Sequence, residues 1–189
     1  GYSATYAFDA AAPTVTATVS VGAGTKSFAS NSTGVCTVNA TTGAVTFVNS
    51  GTCSITGSFA ASGNYAVTSA TGTFTVTAVS ATILATAAST TALALPTFSF
   101  TNSSAYANAT VLSTNPTCNA YGPTDATYAT ALAPADIHFG TTYKIQCSGG
   151  VAKAGYSIAG YTAANLSVTR IVRSVAVTGA SASYTWDDA

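Results

Sequence analysis

Glutamate is absent from this chain of 189 residues, and charge of either sign is scarce. Lysine plus arginine number five, the acids are five aspartates, and together they make 5% of the residues, against about 25% in an average soluble domain. No basic field exists to recruit nucleic acid or anionic lipid. Histidine occurs once, at His138, and no Cys-x-x-Cys pair is present, which removes the usual zinc and redox motifs. Asp9, Asp125, Asp136, Asp187 and Asp188 are scattered. Asp136 and His138 stand two apart and the chain holds many serines, but no motif suggests the geometry of a Ser-His-Asp site. The adjacent Asp187 and Asp188 fall short of the six or more oxygens that Ca²⁺ requires. The reading is therefore of a protein that is not an enzyme and takes no metal or cofactor. No apolar run approaches the roughly 20 residues of a membrane helix. Gly1 opens the chain without a charged and then apolar leader, so a signal peptide is expected to be absent or already removed.

What is present is valine, threonine, tyrosine and phenylalanine, the residues of strands, arranged with period two. In "TVTATVSV" Val15, Ala17, Val19 and Val21 point one way, and Thr14, Thr16, Thr18 and Ser20 the other. In "CSITGSF" Cys53, Ile55, Gly57 and Phe59 share a face, and "GTFTVTA" sets Phe74 and Val76 inward. The second half continues with Phe98 and Phe100, then Tyr143, Ile145 and Cys147 against Lys144 and Gln146, then Tyr156 and Ile158, then Leu166 and Val168. Turn signals separate the runs at Gly22-Ala23-Gly24, Thr42-Gly43, Ser62-Gly63-Asn64, Asn115-Pro116, Gly122-Pro123 and Gly149-Gly150. Many short strands at this spacing indicate β-sandwiches. "ATALAPADI" can form a helical turn, which Pro134 keeps short.

The four cysteines fall as two local pairs, Cys36 with Cys53 and Cys118 with Cys147. Cys36 is in phase with Val38, so both sulfurs of the first pair lie on core-facing sides of strands. Two disulfides are expected, one per domain, and with them an oxidising compartment. Each closes a loop long enough to stabilise its domain by roughly 3–4 kcal/mol. The boundary is expected near Thr77 to Thr82, a stretch without Gly or Pro that reads as a short, fairly stiff connector.

Two stretches resemble known families. Val35-Cys36-Thr37-Val38, Val45-Thr46-Phe47, Gly51-Thr52-Cys53-Ser54-Ile55-Thr56, Gly63-Asn64-Tyr65 and Phe74-Thr75-Val76-Thr77 resemble the bacterial Ig-like repeat of large surface proteins, over about residues 14–78. "NPTCNAYGP" and "FGTTYKIQCSGGVAKAGYSIAGYTAANLSVT" are similar to the related MBG-type Ig-like domain, over about residues 81–170. Gly155 stands where that pattern usually has asparagine. The resemblance implies secreted, modular, disulfide-bonded β-domains. The expected organisation is all-β: an Ig-like sandwich over 1–78, an MBG-type sandwich over 79–170, and a β-prone C-terminal segment over 171–189.

Two ends are left over. "GYSATYAFDAAAP" is short for a full first strand, and Ile171 to Ala189 extends beyond where the second domain should close. A chain of this kind can polymerise by strand exchange. The preferred donor is Ile171 to Trp186, with Val175 and Val177 on one face and Tyr184 and Trp186 on one face. The runner-up is Tyr2 to Phe8, where Tyr2, Tyr6 and Phe8 share a face with Ala4. Asn31, Asn39, Asn102, Asn108 and Asn165 each begin an Asn-x-Ser/Thr sequon and are candidate glycosylation sites. Unprotected sheet edges are a hazard in a monomer and an asset in a polymer, and the second half carries only two lysines, Lys144 and Lys153, to protect its edges. The functional expectation is a structural subunit of an extracellular filament or surface assembly. Its partners would be copies of itself in an open homopolymer, with other surface components or glycans beyond them. The alternative is a stalk or ligand-binding segment of a larger cell-surface adhesin.

Overall fold

The computed structural model describes residues 4–22 and 24–174. Among these residues fifteen strands carry the fold. The first half holds β1 (Thr5–Ala7), β2 (Lys26–Ser30), β3 (Cys36–Val38), β4 (Val45–Phe47), β5 (Gly51–Phe59) and β6 (Thr68–Thr77). The second holds β7 (Val79–Ala85), β8 (Ala88–Thr91), β9 (Phe100–Asn102), β10 (Leu112–Thr114), β11 (Thr117–Tyr121), β12 (Tyr143–Ser148), β13 (Val151–Ala152), β14 (Tyr156–Thr162) and β15 (Ala164–Thr169). One helical turn, α1 (Asn108–Val111), and a 3₁₀ turn, Pro134–Asp136, complete it.

Every strand pair joins strands on the same side of Ala78. In the first half β1-β6-β5-β2 form a four-stranded sheet, and the β3-β4 hairpin lies across it. Its core is Phe28, Cys36, Val45, Cys53, Ile55, Phe74 and Val76. Phe47 and Phe74 bring their rings to 6.0–6.2 Å of Tyr6 and of each other, apart from the closer 5.4 Å edge contact of Tyr6 with Phe74. In the second half β11-β12-β15-β8 and β14-β7-β9 form two sheets, with β10-β13 beside them. Two apolar clusters fill this half, one around Ile83, Val111 and Leu112, the other around Ile137, Tyr143, Ile145 and Leu166. Ala85 and Cys118 touch both.

Cys36 is bonded to Cys53 and Cys118 to Cys147. The first bond ties the β3-β4 hairpin to β5 of the large sheet. The second links residues directly opposite one another in the β11-β12 ladder.

Two sequence expectations change. "TVTATVSV" alternates as expected, with Val15, Ala17 and Val19 half-buried between exposed Thr14, Thr16, Thr18 and Ser20. It forms no strand, however. Its backbone meets the sheets only around Val15, through the Thr14–Ala44 bridge and the Val15 N–H donating to the Gly43 carbonyl. The remainder lies over the β5-β6 face across a cavity, out of hydrogen-bonding reach. The second change is the connector. Thr77 ends β6 and Val79 begins β7, so only Ala78 lies outside a strand. The β-prone composition of Thr77 to Thr82 continues the sheets instead of bridging them.

Removing the first disulfide in Cys36→Ala/Cys53→Ala frees a loop of 17-residue separation and is expected to cost about 3 kcal/mol. Denaturant unfolding monitored by circular dichroism measures it. A loss below about 1 kcal/mol would show that the β3-β4 hairpin is held by packing alone.

Candidate assembly surfaces

The junction of the halves is built around Gly155. Its N–H donates to Asn49 Oδ1 at 2.7 Å, and its carbonyl accepts the Val79 N–H at 2.9 Å. Its φ is +79°, and a Cβ there would lie 2.3 Å from the Phe8 ring. Both the left-handed backbone and the close approach favour glycine. Asparagine, the usual residue of the resembled pattern, tolerates the backbone but not the ring. Phe8 stacks edge-on against Tyr156 at 5.7 Å, and Tyr156 meets Tyr106 at 5.9 Å. The Tyr106 hydroxyl donates to Asp9 Oδ2 at 3.1 Å. That bond, and the carboxylate's charge, hold the Tyr106 phenol above its ordinary pKa.

Tyr6 and Phe8 are therefore used within the chain. β1 pairs parallel with β6 through Thr5↔Thr75, Tyr6↔Val76 and Ala7↔Thr77. Ala4, Tyr6 and Phe8 pack against the first-half core. The runner-up donor thus completes its own sheet here. Tyr2, Val175, Val177, Tyr184 and Trp186 lie outside the described residues, as do Asp187 and Asp188. Ile171 to Ser174 are described and form no strand.

The strands set a direction. β7 pairs parallel with β14 from Val79↔Tyr156 to Leu84↔Thr162, and β8 pairs parallel with β15 from Ala88↔Leu166 to Thr91↔Thr169. Ala163 alone separates β14 from β15, and one residue bends a strand without reversing it. Both pairs thus run away from the junction and switch sheets together. Thr169 ends at the far pole of the second half, up to about 40 Å from Val79 at roughly 3.3 Å per residue. β6 runs into the junction at Ala78, so Thr68 marks the opposite pole.

Of the ten exposed large apolar side chains among the described residues, seven lie at those poles, and Val48, Tyr106 and Val151 lie elsewhere. Val21, Tyr65 and Val67 mark the first, where the Tyr65 ring rests on Gly22. Leu93, Phe139, Ile171 and Val172 mark the second. There the Leu93 N–H donates to the Ile137 carbonyl, the Ala92 N–H donates to the Thr169 carbonyl, and the Arg170 guanidinium sits 4.5 Å from the Phe139 ring centroid.

Among the described residues β6 has an open side. β1 covers only Thr75 to Thr77, and no described strand follows β6 from Thr68 to Phe74 on that side. The inward face is buried at Phe74 and Val76 but bare at Ala70 and Gly72. A cavity of about 350 Å³ lies there, between these two residues, Phe28, Ile55 and the overlying Val15 and Ala17.

The remaining candidates fall elsewhere. The His138 ring is exposed, and its backbone N–H donates to the Tyr143 hydroxyl, which donates to the Asp136 carbonyl. The Asp136 carboxylate accepts the Ala133 N–H and caps the 3₁₀ turn. Asp125 organises the loop after β11. Partial burial works to raise its pKa, but bonds from the Thr127 hydroxyl and the Thr130, Thr127 and Tyr128 backbone prevail and lower it. No group of three or more metal-ligating side chains occurs among the described residues, and no helix among them is long and apolar enough to cross a membrane.

The sequons differ in geometry. Asn102 Nδ2 donates to Asn108 Oδ1 and the Tyr106 carbonyl, Asn108 Nδ2 to the Phe100 carbonyl, and Asn31 Nδ2 to the hydroxyls of Ser54 and Thr56. Asn39 and Asn165 are exposed and use Oδ1, accepting from the Thr41 and Thr42 N–H groups and from Lys144 Nζ.

No family model matches the chain, and no curated protein matches it. Among solved structures it is similar to surface layer protein SbsC, domains 1–6, at 16% identity and a TM-score of 0.30. The match covers 79% of this chain and 20% of that one, so the chain spans about a fifth of that protein's length.

Two outcomes are expected. Gly155→Asn should cost at least 1–2 kcal/mol through collision with Phe8, and much less in a Phe8→Ala background; a double-mutant cycle on thermal melts measures the coupling. Material from a host with N-glycosylation machinery should carry glycan at Asn39 and Asn165 and not at Asn102 or Asn108, as read by glycopeptide mass spectrometry.

Proposed function

We propose that the chain is a structural subunit of an extracellular filament or surface assembly, and that copies join head to tail by β-strand complementation. The carrying observation is that seven of the ten exposed large apolar side chains among the described residues lie at opposite poles, Val21, Tyr65 and Val67 at one and Leu93, Phe139, Ile171 and Val172 at the other. Different patches at opposite ends make a heterologous contact, which propagates as an open fibre unless its rotation closes a ring. Apolar patches of this kind mark interaction surfaces.

Other features support the same reading. Two β-rich halves, each with a parallel pairing of an early strand with a late one and each cross-linked by a disulfide, suit an oxidising, extracellular setting. Near-absence of charge removes the repulsion that keeps soluble monomers apart. The role is mechanical, with no catalytic step.

The test is truncation. A chain ending at Arg170 keeps every described strand, since β15 ends at Thr169. It should form both disulfides, stay monomeric by light scattering and give no fibres by electron microscopy, whereas the full chain gives regular fibres. Fibres from the truncated chain would overturn strand complementation through the C-terminal segment.

A further inference from the structure

We infer that the acceptor for the C-terminal segment is the open edge of β6 from Thr68 to Phe74, filled by the segment around Tyr184 and Trp186 of a second copy. This rests on the head-to-tail reading above and adds the receiving site to it.

The edge is legible from hydrogen-bond phase. The Thr75 N–H donates to the Ala4 carbonyl, and the Phe8 N–H donates to the Thr77 carbonyl. Thr75 and Thr77 therefore turn their backbone groups toward β1. The β5-β6 register runs unbroken from Phe59↔Thr68 to Gly51↔Val76, so no bulge changes the phase. Ser69, Thr71 and Thr73 must turn theirs to the same side. There no described strand receives them. Such a row is a template for an added strand.

The side chains match as well. Ala70 and Gly72, two apart on the inward face of β6, leave the floor of the cavity low. A Cβ built on Gly72 meets no atom within 4 Å. A strand laid along the edge would project alternate side chains into this space. Tyr184 and Trp186 are also two apart. Large rings against small residues fill such a slot, with the indole N–H and the phenol able to reach the wet rim.

Reach favours a second copy over the same chain. Followed along the strands, Gly72 lies about 60 Å from Thr169 at roughly 3.3 Å per residue. A tail fully extended from Thr169 to Tyr184 spans at most about 50 Å. In a neighbour stacked pole to pole, the same tail starts beside the acceptor.

Two full-length variants test it. Thr71→Pro removes one N–H from the open side and none that faces β5, a position where an edge strand tolerates proline. Gly72→Leu fills the slot from within and should melt at or above the wild-type temperature. Both should form their disulfides and fail to make fibres. Labelled peptide Ile171–Ala189 should bind each at least tenfold more weakly than it binds the Arg170-terminated chain. Assembly of the unaltered protein should shift the fluorescence of its single tryptophan, Trp186, to the blue, and both variants should lack that shift. Normal fibres and normal peptide binding in both variants would overturn the β6 acceptor while leaving strand donation intact. Fibres from the Arg170-terminated chain would instead overturn the donor reading itself.

Discussion

The parallel pairing of β7 with β14, beginning at Val79 and Tyr156, is the contact on which the rest depends. It starts against the first half, because Gly155 lies under the Phe8 ring and donates to Asn49. It ends by handing both strands to the other sheet as β8 and β15. One pairing thus sets the axis of the second half, the position of the junction and the pole at which the chain leaves its last strand. A side chain at Gly155 would disturb all three, since its Cβ would lie 2.3 Å from the Phe8 ring that packs edge-on against Tyr156.

Near-absence of charge has a structural consequence of its own. With few ionic groups available, specificity comes from backbone pairing, small-to-large packing and two covalent bonds. Cations are used singly: Lys144 on Asn165, Lys153 on the Ala109 carbonyl, and Arg170 over Phe139. The threonine faces remain wet, as in the Thr56–Thr71 hydroxyl pair across β5 and β6. Such a surface resists association weakly, which suits a subunit and burdens a free monomer.

Much of the fold was legible from period two alone. Phe74 and Val76, Tyr143, Ile145 and Cys147, and Leu166 are buried on the faces that alternation assigns to them. The local cysteine pairs are bonded. Alternation misled at Thr14 to Val21, because it reports which side chains turn inward and not whether a backbone partner stands alongside. The candidate sites were less legible. Tyr6 and Phe8 read as part of a strand offered to another copy, yet Thr75 to Thr77 pair with β1 within the chain. The apolar patches at the poles were invisible, since Gly22 and Tyr65, or Leu93 and Ile137, come together only after the strands are placed.

The sequence by itself determined the class of the protein. Strand period, turn residues, inward cysteines and missing charge are local properties that survive any arrangement of the sheets. Tertiary structure decided which edges are covered. Whether Thr75 or Thr71 has a neighbour depends on where β1 stops, and Gly155 is required only because Phe8 arrives from a strand nearly 150 residues earlier. Backbone hydrogen bonds carry no residue identity, so a vacant edge and a filled one can have the same sequence of threonines, and only the three-dimensional pairing distinguishes them.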